Sequence, residues 1–162
     1  MTSETIQFLL RDAFWSAIAA VGFAILFNVP RQVLWGCAFA GALGHAIRTG
    51  LIQVTGMPIE SATLLAATAI GFLGELLARR YRMPRLVFTV PGVIPMVPGV
   101  FAYQTMIGIF EVTNIADLKP EEGVEALLTT AIFAIRTGLI LATLAVGIIA
   151  PNLLFRRQKP VV

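Results

Sequence analysis

Pro91-Gly92-Val93-Ile94-Pro95-Met96-Val97-Pro98-Gly99 is the stretch that decides how this chain folds. Apolar sequence flanks it on both sides, from Leu86 to Phe110. A run of that length can cross a bilayer, which takes about 20 mostly apolar residues. Prolines at 91, 95 and 98 with glycines at 92 and 99 do not make a regular helix. Each proline removes a backbone donor and clashes with the turn before it. In lipid the freed carbonyls must find partners within the protein. The stretch therefore predicts a broken span, with the break buried in protein or lining a wet cavity. Interrupted helices of this kind at mid-membrane are the sequence pointer to substrate sites in transporters.

The rest of the chain agrees with a lipid setting. Of its 162 residues, 57% are hydrophobic and only 13% charged, and the mean hydropathy is +0.85. A soluble domain carries nearer ~25% charged residues. One soluble core of this size could not hide so much apolar surface. A cytosolic enzyme, a secreted disulfide scaffold and a disordered segment are excluded. The reading is a single all-α polytopic membrane domain over 1–162, with five spans at about 8–28, 33–54, 61–78, 86–110 and 124–150. Asn28-Val29-Pro30 ends the first, Gly56-Met57-Pro58 the second, and Pro151 closes the fifth. Met1-Thr2-Ser3-Glu4 is acidic rather than basic, so no cleavable leader is expected.

Lys and Arg set the expected orientation. Arg31, the cluster Arg79, Arg80, Arg82 and Arg85, and the tail residues Arg156, Arg157 and Lys159 fall on one side of a five-span arrangement. Glu4, Asp12, Glu60, Glu111, Asp117, Glu121, Glu122 and Glu125 fall on the other, against Arg11 and Lys119. The N-terminus is expected outside and the C-terminus in the cytoplasm. Small residues recur every four positions: Ser16, Ala20 and Ala24; Gly36, Ala40 and Gly44; Ala134, Gly138 and Ala142. That spacing lets helix backbones approach closely in lipid. Cys37, the one cysteine, is expected to be a small packing residue.

Four titratable side chains are placed within the spans: His45, Arg48, Glu75 and Arg136. Charges at that depth are costly and face a cavity or a partner. His45 and Arg48 are three residues apart and share a helix face. With Arg136 they fall near the depth of the break. Beyond the break, a half-helix from Gly99 would point its free N–H groups at the middle of the membrane, an end that suits a carboxylate. Tyr103 and Gln104 lie one turn further on. The substrate-binding set is thus His45, Arg48, Pro98, Gly99, Tyr103, Gln104 and Arg136, a midplane site preferring carboxylates or other small anions. Two readings of Arg48 stay open, anion binding or hydrogen bonding to loose carbonyls of the break. Glu75 is either a proton carrier or half of an i,i+4 pair with Arg79, and Arg136 could also pair with it. His45 is the other proton-coupling candidate.

No enzyme constellation accompanies these residues. One His and one Cys do not build a His/Cys metal site, and no Walker loop, GxGxxG or GxSxG occurs. No cofactor and no metal are expected, and no nucleic-acid partner.

The segment Pro91 to Gly99 followed by Phe101-Ala102-Tyr103 resembles the hallmark of the threonine/serine exporter (ThrE) family. The likeness is to the short, YjjB-type subunit of its two-component form. Ala20-Val21-Gly22-Phe23-Ala24, Phe27-Asn28-Val29-Pro30 and Gly44-His45 with Arg48 carry it through the first two spans. Pro91, Gly92, Pro95, Pro98 and Gly99 match the helix-break motif; Glu75 and Arg136 lie where no motif matches. The resemblance implies a proton-coupled secondary exporter of small carboxylates or amino acids (succinate, or threonine and serine) in a bacterial inner membrane. It also implies a longer partner subunit of the same family; a homo-oligomer is a further possibility. Two rival readings are a structural or regulatory subunit with the substrate site in the partner, and an anion channel.

Overall fold

The computed structural model describes residues 3–113 and 120–155. These form six α-helices: α1 Ser3–Leu26, α2 Leu34–Thr55, α3 Ile59–Tyr81, α4 Leu86–Val93, α5 Gly99–Thr113 and α6 Pro120–Phe155. Short 3-10 turns at Arg31–Val33 and Ile94–Met96 precede α2 and follow α4. The all-helical expectation holds. Asp117, Lys119 and the basic tail residues used for the orientation argument lie outside the described residues.

Three helices, α1, α3 and α6, are long and apolar enough to cross a membrane, and α4 with α5 passes jointly as a fourth, broken span. The second expected span, which is α2, has the length but not the hydropathy. His45, Arg48, Gln53 and its glycines pull it down. The count of five therefore becomes three or four by length and composition. Two boundaries also differ. α6 runs through Pro151 to Phe155, so Pro151 does not close it. α4 runs through Pro91 to Val93, so the break is narrower than the proline spacing suggested.

The helix ends follow local chemistry. Asn28 takes a left-handed φ of 57° after α1, and the Val29 N–H returns to the Ala24 carbonyl. Pro30 then forbids continuation. Gly56, at φ 67°, caps α2 by donating to the Ile52 carbonyl, as glycine does at a helix C-terminus. Pro91 cannot donate to the carbonyl four residues back, that of Val87. The Cys37 thiol donates to that carbonyl instead, at 3.3 Å. Cys37 is buried, as expected, and has this second task.

The described chain divides into two compact units, residues 3–96 with 143–155, and residues 97–142. In the first, α1 packs along α2, and α2 also packs on α3 and α4. Small residues make the close approaches. Ser16, Ala20 and Ala24 are buried, as are Gly36, Ala40 and Gly44. A Cβ on Gly41 would stand 2.6 Å from Ala20 Cβ and 2.9 Å from the Ser16 carbonyl oxygen. One on Gly92 would stand 2.7 Å from Ala40 Cβ. Ala24, Val33, Cys37, Leu77 and Phe88 form a core cluster at one end. In the second unit, the expected small face of α6 is exposed at Ala134, Gly138 and Ala142.

These spacings give a stability test. Gly41→Ala should cost about 1–3 kcal/mol, since the α1 backbone cannot move aside cheaply. Gly22→Ala meets nothing within 4 Å and should be neutral or slightly stabilising, because alanine is the better helix former. Thermal unfolding in detergent, with both variants side by side, checks the difference; equal effects would contradict the packing described.

Candidate functional site

Within the first unit, α1 and α2 bring polar side chains against the end of the broken span. The chain needs such a contact there. Met96 ends the 3-10 turn and α5 starts at Gly99, so the carbonyls of Pro95 and Met96 lack the helical donors that would follow. Side chains of α2 supply them. His45 Nε2 lies 2.9 Å from the Pro95 carbonyl oxygen, and Arg48 Nη1 donates to that of Met96 at 2.9 Å. The second arm of Arg48, Nη2, is 3.3 Å from His45 Nε2. The i, i+3 spacing of the two residues is what lets adjacent carbonyls be served from one helix face.

On its other side His45 meets α1. Its Nδ1 lies 3.0 Å from Asp12 Oδ2, and the Thr49 hydroxyl donates to the same oxygen at 2.7 Å. His45 is nearly buried, with 11% of its side chain exposed, and Asp12 keeps 27%. One acid, one imidazole, one guanidinium and two backbone carbonyls are thus joined in a single chain of contacts.

The sequence reading missed Asp12 and Thr49. By charge pattern Asp12 falls with the outer acidic residues, and Glu75 stands as the one acid inside the spans. α1 begins at Ser3, so Asp12 lies more than two turns inside it, within the apolar window of that helix. A lone acid between Phe8-Leu9-Leu10 and Ala13-Phe14 within a span placed at 8–28 was the available signal. The local charge is therefore not a simple positive excess.

Of the expected site residues, His45, Arg48 and Pro95 come together here. Pro91 and Gly92 are buried in α4 against α2 rather than at the break. Pro98 is buried and lies in the second unit with Gly99, whose N–H donates to the Val97 carbonyl at 2.8 Å. Tyr103, Gln104 and Arg136 belong to that second unit. Tyr103 is 63% exposed, and Gln104 is exposed. Arg136 places its guanidinium 5.8 Å from the centre of the Phe101 ring. Such a contact is favourable for arginine on an aromatic face.

Glu75 follows the local reading. Its Oε1 accepts from Arg79 Nε at 2.9 Å, one turn on, with Arg79 largely exposed. Exposed i,i+4 pairs contribute about 0.3–0.5 kcal/mol. Glu75→Gln should therefore shift stability by less than about 1 kcal/mol. Thermal unfolding in detergent checks it; a shift well beyond that would contradict the exposed pairing.

Comparison with known proteins bears on this arrangement. Residues 12–154 match the family described as "Threonine/Serine exporter, ThrE". The match starts at Asp12 and takes in every residue of the network. A Haemophilus influenzae protein described as uncharacterized is 44% identical over 156 residues, covering 95% of this chain and 50% of the relative. The chain thus spans about half the length of that curated relative. No solved structure matches it. The helices of membrane-spanning character make this a multi-pass membrane protein, and the family is one of transporters rather than enzymes. By its matched sequence, from the acid in α1 through the interrupted span to α6, the chain belongs to the threonine/serine exporter family.

Proposed function

We propose that this chain is one part of a two-component secondary exporter of small zwitterionic amino acids, working in a bacterial inner membrane with a longer partner subunit. α2 crosses the membrane with the others in this reading, with the N-terminus outside and the C-terminus in the cytoplasm. The partner supplies what the remaining half of the longer relative supplies there.

The observation that carries the reading is the pairing of Asp12 and Arg48 across His45 at the end of the broken span. An amino acid presents a carboxylate and an ammonium. The Arg48 fork suits a carboxylate, since guanidinium donates two parallel hydrogen bonds to it. An ammonium has three donors and needs acceptors. Asp12 with the Pro95 and Met96 carbonyls offers them. Substrate would exchange with internal partners one for one. Its carboxylate takes Arg48 from Met96, and its ammonium takes the carbonyl that Arg48 leaves. The site then stays satisfied throughout, which matters where unpaired polar groups are expensive. Both earlier readings of Arg48 are served in turn.

Asp12 also bears on substrate choice. A second carboxylate, as in succinate, would meet the Asp12 carboxylate. The preference for anions read from His45, Arg48 and Arg136 is offset by this acid. Inside-out vesicles holding the chain with its long subunit should take up labelled threonine or serine saturably, and succinate poorly. Succinate uptake without threonine uptake would overturn the zwitterion site. Flux that persists without a proton gradient and does not saturate would favour a channel.

A further inference from the structure

His45 Nε2 has two neighbours that make opposite demands. The Pro95 carbonyl oxygen at 2.9 Å can only accept, so it needs a proton on Nε2. Arg48 Nη2 at 3.3 Å can only donate, so it needs the bare lone pair. One nitrogen cannot serve both. The other ring nitrogen has no such conflict. Nδ1 faces the Asp12 carboxylate oxygen, an acceptor that Thr49 also holds in place, and therefore keeps its proton. The geometry points to Asp12 as a positioning residue that fixes the His45 tautomer, so that the proton that comes and goes is the one on Nε2, and its departure hands Nε2 from the Pro95 carbonyl to Arg48.

This deepens the exporter reading and rests on it for its meaning in transport. With Nε2 protonated, the ring is an imidazolium that ties α2 to the broken span. When that proton leaves for water, the lone pair repels the Pro95 oxygen and accepts from Nη2. The Pro95 carbonyl is then free for the ammonium of a substrate. The site carries one unit of positive charge less, with no change at Asp12. A proton and a substrate ammonium thus compete for one backbone oxygen, which is the linkage a proton-coupled exporter requires.

The groups facing the ring are few. α1 contributes Asp12, with Glu4 and Arg11 elsewhere on that helix. α2 contributes Arg48 and the neutral Thr49. The segment 86–96 brings carbonyls and no titratable side chain. α3, packed on α2 where Gly44 meets Ile70, carries Glu60 in its first turn and the Glu75–Arg79 pair further along.

The chain has one histidine, so labelling histidine with nitrogen-15 gives one imidazole to observe. The measurement is a pH titration of the full chain in lipid nanodiscs, with carbon-13 at the proline carbonyls and Pro95 assigned by its loss in Pro95→Ala. The expected result is that Nδ1 stays protonated throughout, Nε2 alone deprotonates, and the Pro95 carbonyl resonance shifts with the same midpoint. Asp12→Asn should keep the tautomer, since an amide oxygen still accepts from Nδ1. Asp12→Ala should release it, leaving Nε2–H and an unmoving Pro95 signal. Deprotonation at Nδ1 in the parent protein would overturn the proposal. So would an Nε2 titration that leaves Pro95 unmoved, or a ring whose Nε2 keeps its proton throughout the titration. The titration of the parent is decisive even if Asp12→Ala does not fold. No substrate is present, so failure here leaves the exporter reading to flux measurements, and absent threonine flux leaves this tautomer standing.

Discussion

Arg48→Gln should lower threonine flux by at least about two orders of magnitude while the complex still assembles. Glutamine can donate one neutral hydrogen bond to the Met96 carbonyl, so the local fold keeps most of that contact. It cannot present a charged fork to a carboxylate. Hydrogen bonds to charged groups contribute about 1.5–3 kcal/mol each. Losing two is worth about 3–6 kcal/mol, and each 1.4 kcal/mol or so is tenfold in rate. Arg48→Lys keeps the charge but not the planar fork, and should fall between the two, about tenfold below the parent. Flux assays paired with co-purification of the long subunit check both. Unchanged kinetics in an intact Arg48→Gln complex would remove the substrate site from this chain and favour a structural or regulatory subunit.

Asp12→Asn should change which substrate is carried. The amide oxygen still accepts from His45 Nδ1 and from the Thr49 hydroxyl, so both bonds that hold α1 to α2 here survive. What disappears is a negative charge. An ammonium loses its charged acceptor, worth about 1.5–3 kcal/mol. A dicarboxylate loses a repulsion of similar size. The two effects act in opposite directions on the two substrates, so the threonine-to-succinate ratio should drop by about two orders of magnitude or more. Competition between labelled threonine and unlabelled succinate measures the ratio directly. A proportional loss for both substrates would mean that Asp12 acts on the fold alone.

The residues show why some of this was legible and some not. The span and turn positions follow from punctuation that acts locally. Asn28-Val29-Pro30 and Gly56-Met57-Pro58 stop helices because of backbone dihedrals and missing donors, whatever surrounds them. The break segment was read from the same chemistry, yet placed too broadly. Pro91 sits inside α4 because Cys37, from a distant part of the chain, satisfies the carbonyl it frees. That compensation is tertiary and leaves no local trace. His45 and Arg48 stood out as charges on one helix face, and depth and spacing were enough to find them. Asp12 did not stand out, because a lone acid near the start of an apolar stretch reads as its polar margin. The start of α1 at Ser3 puts it more than two turns inside the helix. Tyr103 and Gln104 stand out only by their proximity in sequence to the break, and both side chains are exposed on α5.

Membership of the exporter family and the Asp12–His45–Arg48 network are independent facts, and both support the proposal that this chain binds an amino acid by both of its charges at the broken span. The most direct test is uptake of labelled threonine, serine and succinate into inside-out vesicles carrying the chain with its long subunit, beside the same vesicles with Arg48→Gln. Saturable amino-acid uptake that needs both subunits, collapses with the proton gradient and is lost in the variant is the predicted result. Amino-acid uptake that Arg48→Gln leaves untouched, or no uptake by a verified intact complex, would contradict it.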